Sequence, residues 1–469
     1  MRYLQRPIVI VFLLAIVARM IYYYLSGFTF DDAFITFRYV DNIIGGNGFV
    51  YNPGERVLGT TTPLFVFILT ILSGVGIPIL KASLGLSLIF SGLTAVIILR
   101  LAQSLGMGRL SYIPVMAYIF FPRLLVTDTA GMETALFGLL NLAAFYFQKR
   151  QLTHYAVGSA ALAALTRPEG FLTLALILVY NLYKYPRRRG SLIMVAVSIS
   201  IPWIIFCWLY FGSPIPHSMT AKLALYSRFG HWPPWQTAAF ILGLHNPLGI
   251  FLLILALLGG FWLWRRKNFG RLEIVWMVIY ILGLSLSRTH MFVWYASPLL
   301  PIYLFFAGAS VMILYENIKL CRHNYETCRW LFMIGIIVIL SLWSYFSAQH
   351  YRAFQDCMES IHCRIGDYLA AHAHSDDLIA AEDIGYMGYI CGRTILDRDG
   401  LVSPQTVPYN KQGHYLELVL DYSPDWVMAA PESPTSDFLD KAEFLNLYEK
   451  VEDYSCSQGN KYILFKRMQ

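Results

Sequence analysis

The stretch FTFDDAFITFRYVDNIIGGNGFVYNPGERV, residues 28–57, opens almost at once on two adjacent carboxylates, Asp31 and Asp32. Directly before it runs PIVIVFLLAIVARMIYYYLS, residues 7–26, long and apolar enough for a membrane helix and preceded by Arg2 and Arg6. A signal peptide has a similar outline, but no small-residue cleavage site follows, so the run reads as a retained first span. Carboxylates at a bilayer boundary are costly and mark function.

Composition agrees with a membrane protein. Of 469 residues 57% are hydrophobic and only 14% charged, and the mean hydropathy is +0.52, which excludes an ordinary soluble enzyme. Charge is unevenly shared. Residues 1–347 carry 26 Lys and Arg against 10 acids, and residues 348–469 carry 10 against 19. The expected organisation is a basic membrane domain, 1–347, and an acidic soluble domain, 348–469. The net charge of +7 follows from the positive-inside rule, so it argues for no nucleic-acid partner.

Candidate spans fall at 8–26, 82–101, 112–127, 134–147, 154–166, 171–183, 190–211, 238–264, 273–287, 294–315 and 330–347, about eleven in all. Basic clusters at 2–6, 149–150, 184–189, 265–271 and 316–329 assign those ends to the cytoplasm. The N-terminus is then cytoplasmic, and residues 27–80 and 348–469 are periplasmic, with the inner membrane as location. The apolar stretch 62–80 would invert these clusters if it spanned, so it is expected to be a shallow or re-entrant element against the outer leaflet, the alternative being a true span with one of the other spans false. Seven acids of the membrane domain, Asp31, Asp32, Asp41, Glu55, Asp128, Glu133 and Glu169, then belong to the outer face.

The opening stretch, continued to DDAFITFRYVDNIIGGNGFVYNPGERVLGTTTPLF, resembles the first outer loop of the GT-C membrane glycosyltransferases, in particular the branch that includes the cell-envelope arabinofuranosyltransferases. Further matches follow in order: TAGMETALFG at 129–138, LTRPEG at 165–170, YFGSPIPHSMTAK at 210–222, HMFVWYASPLLP at 290–301 and IGYMGYICGRTILDRDGLVSP at 384–404. Two positions depart from the branch: Thr61-Thr62-Pro63 stands where T-N-P is common, and Pro216-His217-Ser218 where P-N-T is common. Donor or acceptor detail is expected to differ there.

The resemblance implies transfer of a sugar, arabinofuranose first, from a polyprenyl phosphate to a hydroxyl of a glycan or protein on the outer face. Mannose or another hexose is the alternative sugar. A hydroxyl is a poor nucleophile, so a carboxylate must take its proton, and Asp31 or Asp32 is the candidate base, with the resemblance favouring the first. The other is free to bind sugar hydroxyls or a divalent cation, the one cofactor considered. A structural alternative is that Asp32 caps the amphipathic helix AFITFRYVDNII, expected to lie at the interface.

A lipid phosphate leaving group needs cations. Lys222 and Arg288 lie in outer connections, with His217 and His290 nearby in sequence, although snorkelling to lipid headgroups explains such cations too. Glu133, Arg167 and Glu169 are expected either to line a polar cavity or to pair and cap helices. Trp294 and Tyr295 suit a sugar-stacking wall or an aromatic belt. Arg38 would hold a neighbouring Asp or bind phosphate, and the GGNG glycines at 45–48 form a turn. Cys357, Cys363, Cys391 and Cys456 are an even set in the outer domain, where disulfides are permitted and their pairing stays open. That domain reads as a small α/β fold with strands at DLIAAE, RTILDRDG and PDWVMAA. A transporter, the rival from another class, would need repeats or mid-span carboxylates, and the sequence shows neither convincingly.

Overall fold

The computed structural model describes residues 2–228, 232–267, 269–287, 289–313 and 325–468. The apolar runs become helices: α1 (Arg2–Ser26), α2 (Asp31–Ile44), α3 (Pro63–Gly74), α4 (Ile79–Ser104), α5 (Tyr112–Phe120), α6 (Pro122–Thr129), α7 (Thr134–Lys149), α8 (Thr153–Ala164), α9 (Gly170–Lys184) and α10 (Arg189–Phe211). They continue as α11 (His217–Arg228), α12 (Pro234–Leu242), α13 (Pro247–Lys267), α14 (Arg271–Leu286), α15 (Val293–Ala296) and α16 (Leu300–Ala309), and a long helix covers Tyr325–Met358. Without water every backbone group must be satisfied within its own segment, which makes helices the only open-chain choice here.

Among the described residues five helices are long and apolar enough to cross a membrane, or six if α5 and α6, bent by 55° around Pro122, count as one span. The other expected spans are shorter helices, and 238–264 is broken into α12 and α13. The stretch 62–80 does not span as one helix: α3 has Pro63 at its first turn and 12 residues, about 18 Å of rise against a core of roughly 30 Å. α10 stops at Gly212, whose φ of 77° lies in the left-handed region that glycine adopts without penalty.

α1 packs on α4 and on the long helix, and α7, α8 and α9 pack in sequence. Asp128, one of the acids expected at the outer face, lies at the end of α6 and is 3% exposed. Arg19, fully buried on α1, donates to its Oδ2 through Nη2 at 2.8 Å and Nε at 3.1 Å, and Ser91 adds a third bond at 2.9 Å. Such a pair survives in apolar surroundings because each member satisfies the other.

The C-terminal sheet has five strands in the order β2-β1-β3-β5-β4: β1 (Leu378–Ala381), β2 (Thr394–Asp397), β3 (Trp426–Ala429), β4 (Tyr448–Ser455) and β5 (Lys461–Arg467). β1, β2 and β3 are parallel, and β5 pairs antiparallel with both β3 and β4. The three strands expected from sequence are present; the final hairpin is additional. Cys357, at the end of the long helix, is disulfide-bonded to Cys456 just beyond β4, whereas Cys363 and Cys391 are free.

α2 corrects the expectation of an interfacial helix. Nine of its residues, from Ala33 to Asn42, are buried, with Phe34 packed against Tyr386 of the C-terminal sheet domain at 3.9 Å between ring centres, the rings tilted by 33°. The helix is sandwiched between the bundle and the sheet domain. Its cap is Phe30, so Asp32 is not the N-cap; Asp31 and Asp32 occupy the first turn, about 100° apart.

Candidate active site

The carboxyl ends of β1, β2 and β3 all open toward the start of α2. Register Ala381↔Asp397 sets Glu382 and Asp383 beside Asp399, and the antiparallel pair Ala429↔Ile463 brings Tyr462 to the same edge. Below that edge lies a cavity of about 560 Å³, whose floor carries Asp31, Asp32, Lys222 and Trp294 and whose roof carries Glu382, Asp383, Asp399 and Tyr462. Ligands of parallel α/β sheets bind at this end of the strands.

A smaller cavity of about 100 Å³ continues from it and is lined by Thr60, Thr61, Thr62, Glu133, Arg167, Ser218 and Tyr295. Asp32, Lys222 and Trp294 border both. The two departures from the branch pattern, at 61–63 and 216–218, therefore place Thr61, Thr62 and Ser218 on this wall.

Asp31 and Asp32 differ in setting. Asp31 accepts the backbone amides of Gly385 at 2.9 Å and Tyr386 at 2.7 Å, which fixes its carboxyl toward the sheet domain. Burial, with the neighbouring carboxyl of Asp383, pushes it up to about 7 against those two bonds. Asp32 is more open, and its Oδ2 lies 3.9 Å from the Lys222 ammonium. Lys222 also sits over the Phe292 ring at 5.7 Å.

Arg167 binds two acids at once, Glu133 at 2.7 Å and Glu169 at 2.9 Å, with a second bond to Glu169 at 3.3 Å. Arg167 and Glu133 reach the smaller cavity, while Glu169 is the arginine's partner outside its lining.

Other expected residues lie elsewhere. Arg38 is a correction, because six helical residues past Asp32 it points about 240° away. Its guanidinium donates to the carbonyls of Tyr51, Gly388 and Arg393 and so pins α2 to the sheet domain. His217 and His290 are outside both cavity walls; the His217 amide donates to Leu58, and His290 packs against Phe292 one layer behind Lys222. Burial lowers the pKa of both rings. Arg288 lies outside the described residues. Sequence reasoning missed Tyr226, His362, Asp383, Asp399 and Tyr462, all on the cavity wall. The only signal was two acid-bearing turns, AAED and LDRD, each closing a short apolar strand.

Among the described residues no group of three or more His, Cys, Asp or Glu side chains is arranged to hold a metal ion. No step below is routed through a metal cation.

The fold is of the ArnT-like GT-C type, mostly helical with several apolar helices and a small C-terminal sheet domain. The chain is similar to ArnT from Cupriavidus metallidurans bound to undecaprenyl phosphate, with a TM-score of 0.61, 12% identity and 97% of each chain covered. Against the apo state of ArnT the TM-score is 0.62, with 13% identity and 98% of each chain covered. Over 221 residues it is 29% identical to the terminal beta-(1->2)-arabinofuranosyltransferase of Mycobacterium tuberculosis (strain ATCC 25618 / H37Rv), which is 41% of this chain and about a third, 34%, of that protein. Residues 345–465 match a family described as a domain of unknown function, DUF8728. These findings bear out the resemblance drawn from the motifs.

Proposed function

We propose that this chain is an inverting glycosyltransferase that moves a sugar from a polyprenyl-phosphate donor to an acceptor hydroxyl, with arabinofuranose as the sugar. The observation that carries the reading is the placement of Asp31, Asp32 and Lys222 around one cavity beneath the sheet edge. The undecaprenyl phosphate on ArnT and the transferase named among the relatives support a lipid-phosphate donor and this sugar.

The division of labour follows from geometry. Lys222 is the cation that meets the donor phosphate, and Asp32 beside it orients the ammonium and sugar hydroxyls. In an inverting displacement the nucleophile enters opposite the leaving group, so its base stands apart from Lys222. Asp31 meets that requirement. Its amide bonds fix the carboxyl while each oxygen keeps a lone pair, and a pKa of about 7 suits a base at neutral pH. The acceptor O–H gives its proton to Asp31 as its oxygen bonds the anomeric carbon. The bond from that carbon to the phosphate oxygen breaks, and its electron pair leaves on the polyprenyl phosphate, stabilised by Lys222.

The reading places this site on the periplasmic side of the inner membrane, with the N-terminus cytoplasmic and the chain divided at 347/348. The basic ends support it: α7 runs from Glu133 at the cavity to Lys149, which shares the far end of the bundle with Lys184 and Arg271.

The test is release of polyprenyl phosphate from a panel of polyprenyl-phosphate sugars, arabinofuranose and mannose included, by purified wild type, Asp31→Asn and Asp32→Asn. Turnover of one donor that the variants lose supports the reading and names the sugar; a folded wild type that turns over none refutes it.

A further inference from the structure

At the end of the bundle away from Asp31 a separate cavity of about 270 Å³ opens where the end of α7, the end of α9 and the start of α14 meet. Each helix brings it a cation: Lys149 from α7, Lys184 from α9 and Arg271 from α14. The only acid on its wall among the described residues, Glu273, is turned back on its own helix, where its Oε2 takes the Gly270 amide at 3.1 Å. Three cations against one carboxylate leave the wall at +2 with Glu273 ionised.

We propose that this cavity binds a phosphate group, presented either by an anionic lipid headgroup or as the free ion. The site is independent of the transferase reading and serves a second ligand at the other end of the bundle.

Snorkelling toward headgroups and the positive-inside rule account for basic helix ends, so the cations alone do not make a site. Two further observations point to a ligand. The first is Gln148, which lines the cavity and is 8% exposed. Asn181 Nδ2 donates to the carbonyl of Ile177 at 2.7 Å and also to Gln148 Oε1. The Ile177 oxygen can pair with the nitrogen of the Asn181 amide but not with its oxygen, so the first bond fixes how Asn181 faces and the second then fixes Gln148. Gln148 Nε2 is left without an acceptor among the described residues. A buried donor is normally paired, and on a wall with three cations the partner that fits is an anion.

The second is Gln151, on the same wall. It ends α7 at a φ of 59°, with its amide bonded to the Gln148 carbonyl at 3.1 Å and the next amide, of Leu152, bonded to Phe147 at 2.9 Å. Glycine takes this left-handed position without penalty, so a glutamine here holds an amide side chain beside the cavity at a cost in backbone strain. Tyr180 adds a donor: Lys184 donates to its hydroxyl oxygen at 3.0 Å, which leaves the Tyr180 proton for a ligand. Neither Lys184 nor Arg271 has an acidic partner among the described residues. Donors fixed on three helices and converging on one space suit a tetrahedral oxyanion, and basic pockets between membrane helices are where lipid phosphates sit.

The test follows the thermal midpoint of the full chain in neutral-detergent micelles. Phosphatidylglycerol is titrated against phosphatidylcholine, and inorganic phosphate against chloride at matched ionic strength. A ligand of the folded state raises the midpoint, and the concentration that gives half the rise measures its affinity. Gln148→Met removes the open donor and leaves the charge unchanged; Lys184→Gln with Arg271→Gln removes two cations. Each is expected to raise the half-effect concentration about tenfold, a readout that a lower starting midpoint does not alter. A rise with phosphatidylglycerol beyond phosphatidylcholine assigns a lipid headgroup, and a rise with inorganic phosphate alone assigns the free ion; where both act, the lower half-effect concentration names the source. No rise beyond the two controls overturns the proposal. So does a rise that Gln148→Met leaves unchanged, because general attraction to a basic rim then explains it.

Discussion

Asp31 and Tyr386, 355 positions apart in the chain, are joined by a 2.7 Å hydrogen bond from the Tyr386 amide to Asp31 Oδ1. With the companion bond from Gly385 it makes one carboxyl both the tie between the helix bundle and the sheet domain and the proposed base of the site.

Asp31→Asn removes the basicity and, having one acceptor oxygen in place of two, also gives up one of the bonds from Gly385 and Tyr386. Its transfer rate is expected to fall about 10²- to 10⁴-fold, with the donor's KM little changed, as steady-state kinetics would show.

The same group sets the pH profile. A base works only when deprotonated, and Asp31 is held at about 7, so kcat/KM rises with pH through about 7 and then levels. The limb runs in that direction because protonation on the acid side removes the acceptor of the proton. Asp32→Asn is expected to retain the limb, since Asp31 remains.

Lys222→Met removes the cation beside the leaving phosphate. A loss of about 10²- to 10³-fold in kcat is expected, by analogy with removing one donor from a developing oxyanion, and Lys222→Arg recovers part of it. Measured rates for the three proteins on one donor check the order.

Gly385 must remain glycine. A Cβ there would stand 2.0 Å from the Asp31 carbonyl oxygen and 2.4 Å from its Oδ2. Gly385→Ala therefore pushes the sheet domain off α2 and is expected to cost activity and to speed proteolysis between the two parts.

Arg167→Ala strands Glu133 and Glu169, the first of them buried, and is expected to cost about 3–5 kcal/mol, read as a lower thermal midpoint in detergent. Glu133→Gln, which keeps a hydrogen-bond acceptor for the arginine, should cost less.

The helices were legible because a bilayer demands long apolar runs, and the charge bookkeeping that kept 62–80 shallow anticipated the brevity of α3. What sequence spacing alone hides is contact at long range. Arg38 looked like a neighbour of Asp32, but helical rotation turns it to the other face, where it reaches carbonyls some 350 positions away. Asp383 and Asp399 meet only because β1 and β2 run parallel in one register, which no local pattern announces. β4 was missed because it alternates poorly, with charged residues through Glu449-Lys450 and Glu452-Asp453, and it owes its pairing to β5. α2 looked interfacial because its amphipathic pattern cannot say whether lipid or another domain covers its apolar face.

The most direct test of the central claim is the single-turnover rate of sugar transfer from polyprenyl-phosphate arabinofuranose, followed from pH 5 to 9 in wild type and Asp31→Asn. The account predicts a wild-type rate that rises through about pH 7 and an Asp31→Asn rate that is at least about a hundredfold lower and flat across that range. An Asp31→Asn protein that keeps both the rate and the limb would show that Asp31 is a structural tie and that the proton goes elsewhere.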